Sequence, residues 1–276
     1  MNIQRRISGV SDEQLFRQLA YLRDPSQRRQ IVEVLQEQEK LEYVARKDPD
    51  SSVRELAVKK IKNEECLCHA ALNDPSWTVR YVAAWKIKNP KTLIRIATKD
   101  PHPRVRTAAI QGIKGEKDLA EIVINDDDPK VRVEATKRIQ DDEILDQIWK
   151  KSLDRAVRET CASVIKSQPI LKKIAVEDSD NWVRYTAVDR IEDDDFLMEV
   201  AMNDIDENVR FVATKRIVNP EKLIHLATLT KHQDVLRCII RRLKKTEHLL
   251  TLRLIGNEFL QHLIIDRMKD NDIEDL

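Results

Sequence analysis

The dipeptide Val-Arg stands at residues 53/54, 79/80, 105/106, 131/132, 157/158, 183/184 and 209/210, each copy 26 residues after the last with no insertion. That period constrains the fold more than any single residue does. A unit this short cannot bury an apolar face alone and must stack on its neighbours. The register continues at Gln27-Arg28 and at Val235-Leu236, giving nine units.

Other columns keep the same spacing. Four places after the Val column come Ile31, Ala57, Ala83, Ala109, Ala135, Cys161, Ala187, Ala213 and Ile239, and four further on Leu35, Ile61, Ile87, Ile113, Ile139, Ile165, Ile191, Ile217 and Leu243. Apolar residues at i, i+4 and i+8 form one helical stripe, with a small middle residue that lets a neighbouring helix approach. A Leu column at 41, 67, 93, 119, 145, 171, 197, 223 and 249, followed by pairs such as Val44/Ala45 and Ile96/Ala97, predicts a second, shorter helix. Asn89-Pro90 and Asn219-Pro220 are read as N-caps of that second helix. Asp48-Pro49, Asp74-Pro75 and Asp100-Pro101 are read as starts of the longer first helix.

These patterns predict an all-α fold, an α-solenoid of stacked two-helix repeats forming a single domain over residues 1–276. Residues 1–23 supply an N-terminal cap helix, signalled by the capping box Ser11-x-x-Gln14; 24–256 hold the nine repeats; 257–276 form a C-terminal cap helix and an acidic tail. One irregularity stands out. Trp149 replaces a small residue and Ser152 an Asp, which predicts loosened or kinked packing near 144–161.

Composition agrees and excludes several classes. Only 4 of 276 residues are Gly, against about 7% in an average protein. Neither G-x-G-x-x-G nor G-x-x-x-x-G-K-[ST] occurs, so no glycine loop is available to cradle a nucleotide phosphate. Lys plus Arg is 49 and Asp plus Glu 48, a net charge of +1, so no global field directs the molecule to nucleic acid or membrane. There is no apolar run of membrane-spanning length and no signal-peptide pattern, and the four Cys form no even framework; a cytoplasmic location is expected.

The pattern D-P-x-x-x-V-R-x-x-A-x-x-x-I resembles HEAT-like repeats over residues 24–256. Its 26-residue period is nearer to the short leucine-rich-repeat variant than to the ordinary HEAT length of about 40. The resemblance is informative about fold and says little about function, because such solenoids serve many roles. In related solenoids, similar Asp and Arg residues make ladders between neighbouring units. That role is implied here for Asp48, Arg54, Asp74, Arg80, Asp100, Arg106, Asp126, Arg132, Asp178, Arg184, Asp204 and Arg210, each Asp lying six residues before its Arg.

Two features are candidates for recognition. With the Val column as place 1, places 3, 7 and 10 lie opposite the buried stripe of the first helix; in HEAT-like arrays a similar helix lines the concave surface. Places 7, 8 and 10 together carry fifteen basic residues and three acids, Glu33, Asp189 and Glu192. Basic residues late in a helix also complement its dipole, so a solvated, dipole-matched stripe stands beside a binding stripe as a reading. Aromatic residues on the same side make two candidate contact patches: Tyr81, Trp85 and Lys88, and Trp182, Tyr185 and Phe211 with Lys215 and Arg241 following.

Nothing points to chemistry. Cys66 and Cys68 of Cys66-x-Cys68-His69 would point about 200° apart on a helix, so no metal site is expected. The six His recur in no column and pair with no evident nucleophile, so neither catalysis nor a cofactor is expected. The leading expectation is a non-catalytic, cytoplasmic scaffold or adaptor binding a protein or peptide on the concave helical face, with no membrane role. The alternative is nucleic-acid binding, with the basic stripe tracking phosphates and aromatics stacking on bases. The resemblance extends to HEAT-like DNA glycosylases and, more distantly, to tetrapyrrole lyases.

Overall fold

The computed structural model describes residues 10–254 and 257–269; the tail from Asp270 and the residues before 10 lie outside them. Among the described residues every element is an α-helix, twenty in tandem, so the chain is an all-α solenoid. It divides into two compact units, Met1–Ile139 and Gln140–Leu276.

The stripes named above are the core of both units. Val53, Ala57, Ile61, Leu67 and Ala71 are almost wholly buried in the first, and Val183, Ala187, Ile191, Leu197 and Ala201 in the second. In the N-terminal unit, first helices such as Ser51–Lys60, Trp77–Lys86 and Pro103–Ile110 stack on one another. Each second helix, such as Gln38–Lys47 or Glu64–Asn73, packs principally against the first helix that follows it. The C-terminal unit repeats this with Gln168–Glu177 on Asn181–Val188 and Asp194–Asn203 on Glu207–Arg216. The helical hairpin is therefore a second helix joined to the next first helix. The N-terminal helix, Asp12–Leu19, has the full capping box between Ser11 and Gln14.

Two expectations need correction. The second helix is not shorter: Ser51–Lys60 and Glu64–Asn73 are both 10 residues long. Asp48-Pro49, Asp74-Pro75 and Asp100-Pro101 do not start the first helix. Asp48, Asp74 and Asp100 are C-caps of the preceding second helix, and the N-caps lie two residues on at Asp50, Ser76 and His102. The Asp carboxylate accepts the backbone N–H of that N-cap residue, as from Asp50 to Asp48 at 2.9 Å and from Ser76 to Asp74 at 2.8 Å, and so shapes the turn. By contrast, Asn89 and Asn219 cap second helices with Pro at the first position, as the sequence suggests.

Trp149 is accommodated in its small-residue position. Its ring is buried in the helix Asp142–Lys151, and Nε1 donates to Asp178 Oδ2 at 2.7 Å. The indole fits because its polar edge meets a carboxylate that also needs donors.

Candidate functional site

Locating a binding surface on a repeat protein requires knowing which polar side chains its own architecture consumes. The Asp and Arg columns are consumed. In the N-terminal unit Arg28, Arg54, Arg80 and Arg106 make bidentate pairs with Asp48, Asp74, Asp100 and Asp126, each 20 residues on. Arg54 Nε lies 2.8 Å from Asp74 Oδ2 and Nη2 2.9 Å from Oδ1, while Nη1 donates to the carbonyls of Asp48 and Pro49. The carboxylate hydrogen bond holds the Arg54 guanidinium above the ordinary arginine range. In the C-terminal unit Arg158 and Arg184 pair likewise with Asp178 and Asp204. Thr230 stands where the next Asp would be, and Arg210 reaches Asp234 instead at 2.9 Å. Arg132 donates Nη1 to the carbonyls of Asp126 and Asp127, as its counterparts do.

A second set of side chains joins neighbouring repeats through the basic columns. Lys60 Nζ donates to the carbonyls of Val32 and Glu33, and Lys86 Nζ to those of Val58, Lys59 and Ile61. In the C-terminal unit Arg190 caps Ala162 and Ile165, Arg216 caps Ile191, and Arg242 caps Thr214 and Ile217. Each cation meets carbonyls at the C-terminal end of the preceding first helix, where its partial negative charge gathers. Burial lowers the Lys60 and Lys86 ammonium groups from the ordinary lysine value. Five of the six place-8 cations are therefore structural, and their target is the neighbour's helix end rather than their own; the sixth, Arg138, is exposed.

A third set is absent from the sequence expectations. Asp12, Gln38 and Glu64 accept backbone N–H groups from the following repeat's interhelix turn, Glu64 from Lys88 at 2.7 Å and Asn89 at 2.9 Å. Asp142, Gln168 and Asp194 do the same in the C-terminal unit. These bonds satisfy the turns without glycine. The N-cap column of Asp24, Asp50, Asp128, Asp154, Asp180 and Asp206 is also legible at 26-residue spacing, though the Asp-Pro pairs beside it are more conspicuous.

What is left uncommitted lies on the outward side of the first helices and in the turns after them. In the N-terminal unit, Trp77, Tyr81 and Trp85 follow one another at i, i+4 and i+8 on the helix Trp77–Lys86. Their rings meet edge to face, at 6.5 Å between Trp77 and Tyr81 and 6.4 Å between Tyr81 and Trp85. Trp77, which the sequence reading passes over, is stacked on His102 at 4.1 Å with Arg104 5.7 Å from its centroid. Tyr81 is half-buried and Trp85 is 53% exposed. Lys88 is exposed; place 10, expected on the helix, belongs instead to the turn, because the first helix ends at place 8.

In the C-terminal unit the Trp182 and Tyr185 rings are tilted 5.7 Å apart. Phe211 stands one repeat further on, partly exposed, with Lys215 and Arg241 exposed on the helices Glu207–Arg216 and Gln233–Arg242.

Elsewhere, a groove of ≈ 630 Å³ is lined by Phe16, Tyr21, Tyr43 and Val44 among others. Glu13 at its edge is held below the usual carboxylate range by hydrogen bonds from Lys40 and then Arg17. No group of three or more His, Cys, Asp or Glu among the described residues is placed to hold a metal ion. No helix among them is long and apolar enough to cross a membrane.

No family model matches the chain, and no curated protein matches it. Among solved structures it is similar to a leucine-rich repeat variant with a novel repetitive structural motif, at 20% identity over 95% of this chain and 88% of that one, with a TM-score of 0.55. It also matches the Escherichia coli protein YibA at 19% identity over 95% of this chain and 97% of that one, with a TM-score of 0.30. Twenty tandem helices among the described residues, together with the first of these likenesses, show an all-α helical-repeat fold similar to that of the leucine-rich repeat variant.

Proposed function

We propose that the chain is a non-catalytic scaffold or adaptor that binds a protein or peptide segment on the outward face of its first helices, with Trp85 as the main anchor in the N-terminal unit. The observation that carries this reading is the state of the three rings on Trp77–Lys86. Trp77 is committed to His102 and Arg104, Tyr81 is wedged between two Trp rings, and Trp85 is left 53% exposed at the end of the row. A large ring held rigid from below and open above has lost its conformational freedom before any partner arrives, which favours binding. Trp182, Tyr185 and Phe211 form a second, more open patch in the C-terminal unit.

The nucleic-acid alternative is less well supported. A single-strand platform needs successive free ring faces. Here one Trp77 face is taken by His102, and Lys60 and Lys86, two cations that would track phosphates, are engaged with helix carbonyls. The test is selection of a random peptide display library on the full-length protein. Recovered peptides are expected to quench tryptophan fluorescence and to lose about tenfold or more in affinity with Trp85→Ala. Binders indifferent to both Trp85→Ala and Tyr81→Ala refute the assignment.

A further inference from the structure

The three internal ladders make it possible to find cations with no structural duty by subtraction. In the N-terminal unit the place-8 lysines cap helices, and Lys59 pairs with Glu55 on its own helix at 2.6 Å. Lys62, Lys88 and Lys114 differ. They occupy the same position in three consecutive repeats, in the turn after the first helix, and all three are exposed. None is in an ion pair among the described residues. Glu64, two residues after Lys62, has its carboxylate engaged by the N–H groups of Lys88 and Asn89. Three residues before Lys88 stands Trp85.

We infer that this row recognises an acidic segment in polyproline II conformation, with carboxylates at every third residue and an apolar side chain against Trp85. The inference rests on the peptide-binding reading above and adds the chemistry and spacing of the partner. Stacked helices lie about 8 to 10 Å apart, which sets the interval along the lysine row. A polyproline II chain has three residues per turn and rises about 3.1 Å per residue, so side chains at i, i+3 and i+6 fall on one side about 9.3 Å apart. A β-strand does not meet this condition, because its side chains alternate and i and i+3 face opposite ways. Lysine suits this role because each ammonium is a mobile point charge that tolerates small mismatch in register. Exposed aromatic rings are also the usual dock for polyproline II chains, which arrive already extended and lose little entropy.

The experiment is fluorescence anisotropy with the full chain and synthetic labelled peptides. The main probe is a proline-rich peptide with Glu at every third position and one Leu. A second has the same composition with Glu at every fourth position. A third is a helical peptide with Glu at heptad spacing, and oligothymidylate of similar charge is the fourth. The first probe is expected to bind about tenfold more tightly than the second, the difference three exposed ion pairs supply together. That preference disappears in the triple variant Lys62→Gln, Lys88→Gln, Lys114→Gln and weakens steeply with salt, while Trp85→Ala weakens both peptides alike. Equal binding of the first two probes, or an unaltered preference in the triple variant, overturns the inference; if Trp85→Ala still weakens them, the peptide-binding reading stands. Best binding by the helical peptide overturns the polyproline II geometry. Oligothymidylate binding more tightly than every peptide overturns the acidic partner and the peptide reading together.

Discussion

Replacing Asp74 by Ala should be one of the most damaging single changes in the N-terminal unit. The Asp74 carboxylate accepts Nε and Nη2 of Arg54 at 2.8 and 2.9 Å and the backbone N–H of Ser76 at 2.8 Å, with the two side chains only 9% and 6% exposed. Alanine leaves a guanidinium enclosed with two unpaired donors, and no shift of its pKa relieves the cost, because arginine does not give up its proton. Breaking such a buried pair from one side costs about 3 to 5 kcal/mol, a large share of the roughly 5 to 15 kcal/mol that keeps a typical protein folded. Arg54→Met combined with Asp74→Ala removes the stranded charge and leaves neutral groups, the carbonyls of Asp48 and Pro49 and the Ser76 N–H, to find water. The double variant should therefore be about 2 kcal/mol more stable than the sum of the single effects implies. Urea unfolding followed by helical circular dichroism measures the cycle. Amide exchange on Ser51–Lys60 and Trp77–Lys86 shows whether the loss is centred on the helices the rung connects. A loss below about 1 kcal/mol for Asp74→Ala, or simple additivity, would place the pair with exposed ion pairs and refute the reasoning.

Other consequences are open to direct measurement. Asp50 accepts from the Ser52 hydroxyl and from the Ser52 and Val53 N–H groups, and chiefly the Ser52 hydroxyl bond lowers its pKa from the usual Asp value. A lowered folded pKa means its stabilisation is present above the unfolded value, about 3.9, and is lost as pH falls through the folded one. Protection of the Ser52 and Val53 amides, taken relative to their intrinsic exchange rates, should fall in that acid range, and Asp50→Asn should flatten the dependence. Burial raises the thiols of Cys66 and Cys238, and pushes Cys161 up to about 12, while Cys68 is the partly exposed one. A thiol reagent at pH 8 should thus label one cysteine rapidly, and Cys68→Ser should abolish that phase; several equally fast thiols would contradict the packing. Trp149→Phe removes the donor to Asp178 but keeps a ring, costing about 1 kcal/mol, whereas Trp149→Ala opens a cavity and costs about 3 to 5 kcal/mol; equal losses in thermal unfolding would show that the hydrogen bond is not the minor part.

The Arg54 rung also shows where the sequence stops being legible. In a strict 26-residue repeat, the Asp six residues before an Arg and the Asp 20 residues after it belong to the same column, so spacing alone cannot say which one the side chain meets. The structure uses both, in different ways: the later Asp gives its carboxylate and the earlier one its backbone carbonyl. Hydrophobic columns carry no such ambiguity, because burial follows the helical period within one unit, and Val53, Ala57 and Ile61 are buried as their spacing requires. The Asp-Pro pairs mislead for a related reason. Asp and Pro are N-terminal signals on a helix, yet Asp48 ends one helix and folds the turn, while the less conspicuous Asp50 caps the next. The size of Trp149 likewise reads as a misfit in sequence, whereas in the fold its indole N–H meets the Asp178 carboxylate.

Subtraction changes what the basic stripe means. Read as sequence, its cations form one population. In the folded N-terminal unit they fall into three: Lys60 and Lys86 are held on carbonyls, Lys59 and Lys137 pair with Glu55 and Glu134 on their own helices, and Lys62, Lys88, Lys114 and Arg138 are in no hydrogen bond or ion pair through their side chains among the described residues. The first group keeps adjacent first helices in register, so its replacement should lower stability whatever the partner. The side chains of the third group make no ion pair or hydrogen bond within the fold, so replacing them, with the backbone N–H groups kept, should leave unfolding unchanged and alter only binding. A lysine kept free three times at one repeat position, beside an open Trp85, is therefore where a functional constraint can be separated from an architectural one. The separation rests on the order of the repeat itself: most structural roles recur each 26 residues, so a polar side chain that answers to none of them stands out against its own column.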